Sequence, residues 1–343
     1  MPVSRKARRR GIAPAPPPPS APKPKRSPAA ILAALALAGV IAIGGAYLLW
    51  PSGRPTAAAS AGSSGEDSLL TKVESLYNDI SVYRRSDGKL SLQFGAKRLR
   101  YIESIVNPAD PLDLPVYYTQ SMGAGLAYAS GLDDVGAIGL GGGGIEWYQH
   151  KSLPSLRTTT IELDPEVVRL AREYFSVRTE PGFDIATEDG RVYLTHSDQR
   201  FDIMLVDAYR GPFVPFHLLT TEFYKLVAAH LKPGGVAVQN VEPTTMLFDS
   251  AVATIRQAFE HLVFLHGGGN IVILAYNGPE RDEATVQRLA AERQATYKFR
   301  YDLKEILARR FAPSWKESTP PLTDDFAPVE YLKAIERHNE KQS

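Results

Sequence analysis

Four stretches of this 343-residue chain carry residues whose types and spacing could bind or transform a ligand. Gly139-Leu140-Gly141-Gly142-Gly143-Gly144 follows an apolar run and satisfies G-x-G-x-x-G through Gly139, Gly141 and Gly144, with Gly143 inside the loop. Glycines in that pattern let backbone approach a ligand beneath a helix N-terminus. Glu162, in Ile161-Glu162-Leu163-Asp164-Pro165, lies 23 positions after Gly139, where a strand-end carboxylate can accept hydrogen bonds from both hydroxyls of a ribose. Asp164 reads as structural, because Asp-Pro-Glu is a helix-capping sequence. Asp189-Gly190 closes another strand; the aspartate could accept from an adenine amino group, with Gly190 offering no obstruction, or form an ordinary Asp-Gly turn. Finally, Asp202-Ile203-Met204-Leu205-Val206-Asp207 is an apolar strand that ends by aiming a carboxylate at whatever crevice lies beyond it.

Other chemistries find no support. There is no cysteine, hence no thiolate nucleophile and no Cys-based metal site. The seven histidines show no ligand spacing, so no metal is expected. P-loop and G-x-S-x-G patterns are absent.

Such residues need a scaffold, and the periodicity after Pro115 supplies one. Apolar strands are expected at 135–139, 159–163, 183–187, 201–207, 235–241 and 271–275. Helices are expected near 145–150, 165–175, 191–196, 221–230 and 245–259. Their alternation specifies a parallel sheet with crossover helices, a Rossmann-like α/β fold whose ligands lie outside the carboxyl ends of the strands. Leu231-Lys232-Pro233-Gly234-Gly235 reads as a turn before the fifth strand. Upstream, Ile80–Tyr83 and Leu90–Phe94 alternate around Ser86-Asp87-Gly88, which is hairpin chemistry. The expected domains are therefore a small β-rich unit over 67–116 and the α/β domain over 117–343.

The head of the chain differs. Residues 1–28 form a basic, Pro-rich tail that cannot bury a core. Residues 29–50 hold no charge and are long enough for one transmembrane helix; residues 51–66 read as a flexible linker. Residues 1–65 contain nine Lys/Arg and no acid, leaving 30 basic against 38 acidic residues from 66 onward, a net −8. That balance argues against nucleic acid as a partner and is compatible with a cationic substrate. The expected localisation is single-pass membrane with the side of the domain open: basic flanking residues favour the outside, whereas supply of a metabolic small-molecule substrate favours the cytoplasm.

The order of glycine loop, acid, Asp-Gly, strand-end Asp and Pro-Gly-Gly turn resembles the class I S-adenosylmethionine-dependent methyltransferase fold. A nicotinamide dehydrogenase would explain only the loop and Glu162. Within that superfamily, Tyr117-Tyr118-Thr119-Gln120, Val206-Asp207-Ala208-Tyr209, Leu219–Tyr224 and Leu322–Glu330 make the chain from about Tyr77 to Leu332 similar to the spermidine synthase (polyamine aminopropyltransferase) family. The resemblance implies a transferase that moves an aminopropyl group from decarboxylated S-adenosylmethionine to a small-molecule amine, with a homodimer compatible with it. By resemblance, Asp207 is the base; Gly139, Gly141, Gly143, Glu162, Asp189 and Gly190 hold the nucleoside; and Tyr118, Gln120, Tyr209 and Arg210 face the acceptor. Two departures stand out. Gly142 replaces the family's aspartate for the aminopropyl ammonium, and Arg210 replaces a second acid of the strand-four loop. An arginine there repels a cationic acceptor, which leaves room for a neutral or anionic one. It also leaves room for methyl transfer from S-adenosylmethionine itself, or for a nucleoside-binding protein without turnover.

Overall fold

The computed structural model describes residues 66–95, 100–211, 213–243 and 248–325. It opens with four antiparallel strands, β1 (Ser68–Glu74), β2 (Asp79–Arg84), β3 (Leu90–Phe94) and β4 (Tyr101–Val106), paired in sequence order. Ile80, Val82, Leu92 and Phe94 turn inward from β2 and β3 and meet Val167, Leu170 and Phe175 of the next domain. Burial of that shared apolar face joins the small sheet to the large one.

Short helices α1 (Tyr117–Ser121) and α2 (Gly125–Tyr128) lead into the second sheet. Then follow β5 (Asp134–Ile138), α3 (Gly144–Ser152), β6 (Arg157–Glu162), α4 (Pro165–Tyr174), β7 (Phe183–Thr187), α5 (Gly190–His196), β8 (Phe201–Val206), α6 (Thr221–Ala229) and β9 (Leu231–Val241). After α7 (Phe248–Ile255) come the hairpin β10 (His261–Gly267) and β11 (Asn270–Tyr276), then α8 (Glu283–Tyr297), α9 (Leu303–Leu307) and β12 (Arg310–Phe311). The sheet order is β12-β10-β11-β9-β8-β5-β6-β7. From β9 to β7 the neighbours are parallel; β11, β10 and β12 add antiparallel pairs. Side chains alternate across it: Ile203 and Leu205 face the layer of α2, α8 and α9, whereas Met204 and Val206 face that of α5, α6 and α7.

Three differences from expectation have physical causes. The strand expected at 271–275 is β11, which follows the unexpected β10 through a tight Gly268-Gly269 turn with no helical crossover and so pairs antiparallel. The Pro233-Gly234-Gly235 turn lies inside β9: Leu231 pairs with Phe201 but Val236 pairs with Ile203, so the intervening residues bulge, with Gly234 at φ +74°. The third concerns the membrane. Single-pass localisation is corrected here, because no helix among the described residues is long and apolar enough to cross a membrane. The span expected at 29–50, and the tail before it, lie outside the described residues.

Asp164 caps α4 by accepting from the Glu166 amide at 3.0 Å, and its other oxygen accepts from Ser75 Oγ at 2.5 Å in the β1–β2 turn. One 1%-exposed carboxylate thus ties the two sheets together. Asp164→Ala is expected to cost about 1–3 kcal/mol, the sum of a lost cap and a lost buried hydrogen bond. Denaturant unfolding checks it, and an unchanged midpoint refutes the link.

Candidate functional site

The glycine loop joins β5 to α3 at the carboxyl edge of the parallel strands. Gly139 has φ +93°, and a Cβ there would lie 2.5 Å from the Asp207 carbonyl oxygen, so the loop can pass the end of β8 only with glycine. Gly143, at φ +66°, forms the left-handed entry to α3. Glu162, at the end of β6, braces this loop: its carboxylate accepts from the amides of Leu140 and Asp164, each at 2.9 Å, and from Gly141. Those bonds take three of roughly four acceptor positions, leaving one for a hydroxyl. Burial nevertheless raises its pKa.

Asp189 starts α5. One oxygen accepts from the Arg191 and Val192 amides, both at 2.9 Å, and the other pairs with His217 Nε2 at 2.7 Å. Burial opposes ionisation, but these partners outweigh it and hold the pKa low. Gly190 lets α5 approach β5: a Cβ there would meet Ile138 Cγ2 at 2.5 Å.

Asp207 follows β8, held by its amide on the Ile138 carbonyl at 2.9 Å. Its Oδ1 accepts from Asn240 Nδ2 at 2.8 Å and its Oδ2 from the Tyr118 hydroxyl at 3.1 Å. Asn240 in turn accepts from Asn270 Nδ2 at 2.8 Å, which directs its amino side to Asp207. Burial pushes Asp207 up to about 6 despite these two donors. Burial, with the nearby Asp207 charge, also keeps Tyr118 well above the usual phenol range, so the phenol stays a donor.

Two further acids share this region. Glu146, in the first turn of α3, is 3% exposed; burial, then the charges of Asp207 and Glu162, push it up to about 8. Glu103, on β4, reaches about 8 through burial and the Asp207 charge, opposed by a hydrogen bond from the Gly211 amide. Among the described residues no lysine or arginine pairs with Glu103, Glu146 or Asp207, although elsewhere buried Asp134 and Asp202 share Lys232. Neither glutamate stands out in the sequence. Glu146 reads as ordinary first-turn acid, and Glu103 lies in a strand of the other sheet; an acid four residues after Gly142 on a buried helix face was the available signal.

The acceptor residues divide. Tyr118 meets Asp207, and burial together with the nearby Asp207 charge raises the pKa of Tyr209, whose hydroxyl donates to the Asn240 carbonyl at 3.0 Å. Gln120 is otherwise engaged, donating to the Leu114 carbonyl and accepting from Arg309. Arg210 is exposed, in a turn with Phe213, and forms no ion pair with the three acids. The expected repulsion of a cationic acceptor is thereby corrected. Position 142 is also explained: a Cβ on Gly142 would meet Ser104, Val106 and Phe175 at 3.1–3.2 Å, so β4 and the end of α4 crowd it.

Residues 122–266 match the family described as the spermine/spermidine synthase domain. The chain is 28% identical over 281 residues to a polyamine aminopropyltransferase of Vibrio vulnificus, covering 79% of this chain and 93% of that relative. Over these residues the chain is similar to the spermidine synthase family. Its fold is that of family structures: a probable spermidine synthase from Corynebacterium glutamicum superposes with TM-score 0.57 at 19% identity, over 76% of this chain and 97% of that one. Spermidine synthase from Thermotoga maritima gives 0.57 at 20% identity, over 72% and 85%.

Glu103, Glu146 and Asp207 set a pH dependence. A carboxyl whose pKa rises on folding stays protonated in the native state where the unfolded chain has ionised, so stability is full below the unfolded pKa and falls as pH climbs through the folded one. For Glu103 and Glu146 the window runs from 4.5 to about 8, and for Asp207 from 3.8 to about 6. Carboxyls with lowered pKa, such as Asp134 and Asp189, act oppositely, below 3.8. The ligand-free protein is expected to lose thermal stability between pH 4.5 and about 8, and Glu146→Gln to flatten that slope. A wild-type melting temperature that rises across the interval contradicts the assignment.

Proposed function

We propose that this transferase moves the aminopropyl group of decarboxylated S-adenosylmethionine to a small aliphatic amine. The observation that carries this reading is the set of three acids, buried Glu146 and half-buried Asp207 and Glu103, with no cationic partner among the described residues. Burying unpaired carboxylates is costly, and a ligand that brings positive charge removes the cost. The donor carries a sulfonium and an ammonium, and the acceptor an ammonium.

The sheet order supports an orientation of the ligands in the site. Glu162 and Asp189 follow β6 and β7, so the nucleoside occupies that side, with one ribose hydroxyl on Glu162 and the glycine loop beneath it. Glu146, which senses both Asp207 and Glu162, lies between nucleoside and acceptor and takes the donor's ammonium in place of an acid at position 142. The acceptor enters beside Asp207, Tyr118 and Tyr209. The Asp207 carboxylate, fixed by Tyr118 and Asn240 and poised at about 6, removes a proton from the attacking nitrogen. That nitrogen's lone pair forms the new N–C bond as the C–S bond breaks. The electron pair goes to sulfur, whose positive charge disappears as neutral methylthioadenosine leaves.

Asp207→Asn should keep nucleoside binding and lose about 10²–10⁴-fold in turnover, the range of general-base catalysis. Mass analysis of reactions with 1,4-diaminobutane and each donor checks the reaction type. Methylthioadenosine with an aminopropylated amine is expected. Turnover only with S-adenosylmethionine, releasing S-adenosylhomocysteine, overturns the reading.

A further inference from the structure

The pairing of β3 with β4 contains an irregularity that falls on one of the three acids. Leu92 pairs with Ser104 and Gln93 with Ile102, so Glu103 is the extra residue of a bulge. Bulges re-aim a side chain that regular pleating would place elsewhere. The re-aimed carboxyl receives the Gly211 amide, from the loop that follows Asp207, while its Oε1 is buried with no hydrogen-bond partner. An orphaned buried acceptor loses the hydrogen bonds that water would give it, so it marks a position where a donor is due. Its titratable neighbours are Tyr101 on its own strand, Asp207 after β8, and Tyr118 on α1. Every one is an acid or a phenol. This is the β8 side of the site, away from Glu162.

We propose that Glu103 is a specificity-determining residue that binds the non-reacting ammonium of a diamine acceptor, supplying from the four-stranded sheet the acid that Arg210 does not. The inference rests on the aminopropyl-transfer reading for which nitrogen is which, but not for the binding of a diamine. With Asp207 at the attacking nitrogen and Glu103 at the other, a diamine satisfies both carboxylates and a monoamine leaves Glu103 unpaired.

The test uses the full chain, Glu103→Gln, 1,4-diaminobutane and the monoamine butylamine. The substitution is expected to raise KM for the diamine about 10- to 100-fold, the value of a hydrogen bond to a charged group. The monoamine KM and methylthioadenosine affinity should stay within about twofold, and Glu103→Asp should recover part of the diamine affinity. A diamine KM within about twofold of wild type, or equal losses for both amines, overturns the proposal. Since glutamine removes an unpaired buried acid, the melting temperature should hold or rise; a variant that fails to fold marks a structural role and also overturns it. If the wild-type chain transfers no aminopropyl group, the reading of the reaction fails by itself. Calorimetric titration of 1,4-diaminobutane then still decides Glu103: weaker binding to the variant supports the proposal, and equal binding refutes it.

Discussion

Acidic side chains without counterions, buried or half-buried at the carboxyl edge of a parallel sheet, are the constraint on which the rest of this structure depends. Water would solvate them and a lysine would pair with them, yet around Asp207 the described residues offer mainly phenols, one amide side chain and backbone amides. The contrast with Asp134 and Asp202 is instructive, since those acids at the opposite strand ends are closed off by Arg157 and Lys232. One edge of the sheet is electrically finished and the other is left open to positive charge.

Holding that open edge together falls to the backbone. Glu162 ties the glycine loop to the start of α4, Gly139 lets the loop pass under the Asp207 carbonyl, and Asn270 orients the amide that fixes Asp207. The four-stranded sheet contributes too: Ser104 Oγ accepts from the Gly142 amide at 2.9 Å while the adjacent bulge turns Glu103 toward the β8 loop. The same approach of β4 that crowds position 142 carries an acid in from the other side.

What could be read in the sequence follows from what is local. Glycines after an apolar strand, Glu162 and Asp207 at strand ends, and the Asp164 cap are encoded within a few residues, and periodicity located the parallel strands. Glu103 could not be read that way, because its orientation depends on a bulge and on packing between two sheets. Glu146 was hidden by a second plausible role, the acid of a helix first turn. Arg210 misled for the converse reason: position next to Asp207 in the chain does not specify direction, and the side chain is exposed. The apolar run at 29–50 carried a membrane expectation that no described helix supports.

The central claim is that the site waits for a cation to complete it, and proton linkage measures this directly. Titrating 1,4-diaminobutane into the full chain at about pH 7, in buffers of different ionisation enthalpy, counts protons exchanged on binding. Carboxyls raised to about 8 are largely protonated there, and a bound cation lowers their pKa. Net proton release is expected, reduced in Glu103→Gln. Binding with no release, or with uptake, contradicts the claim.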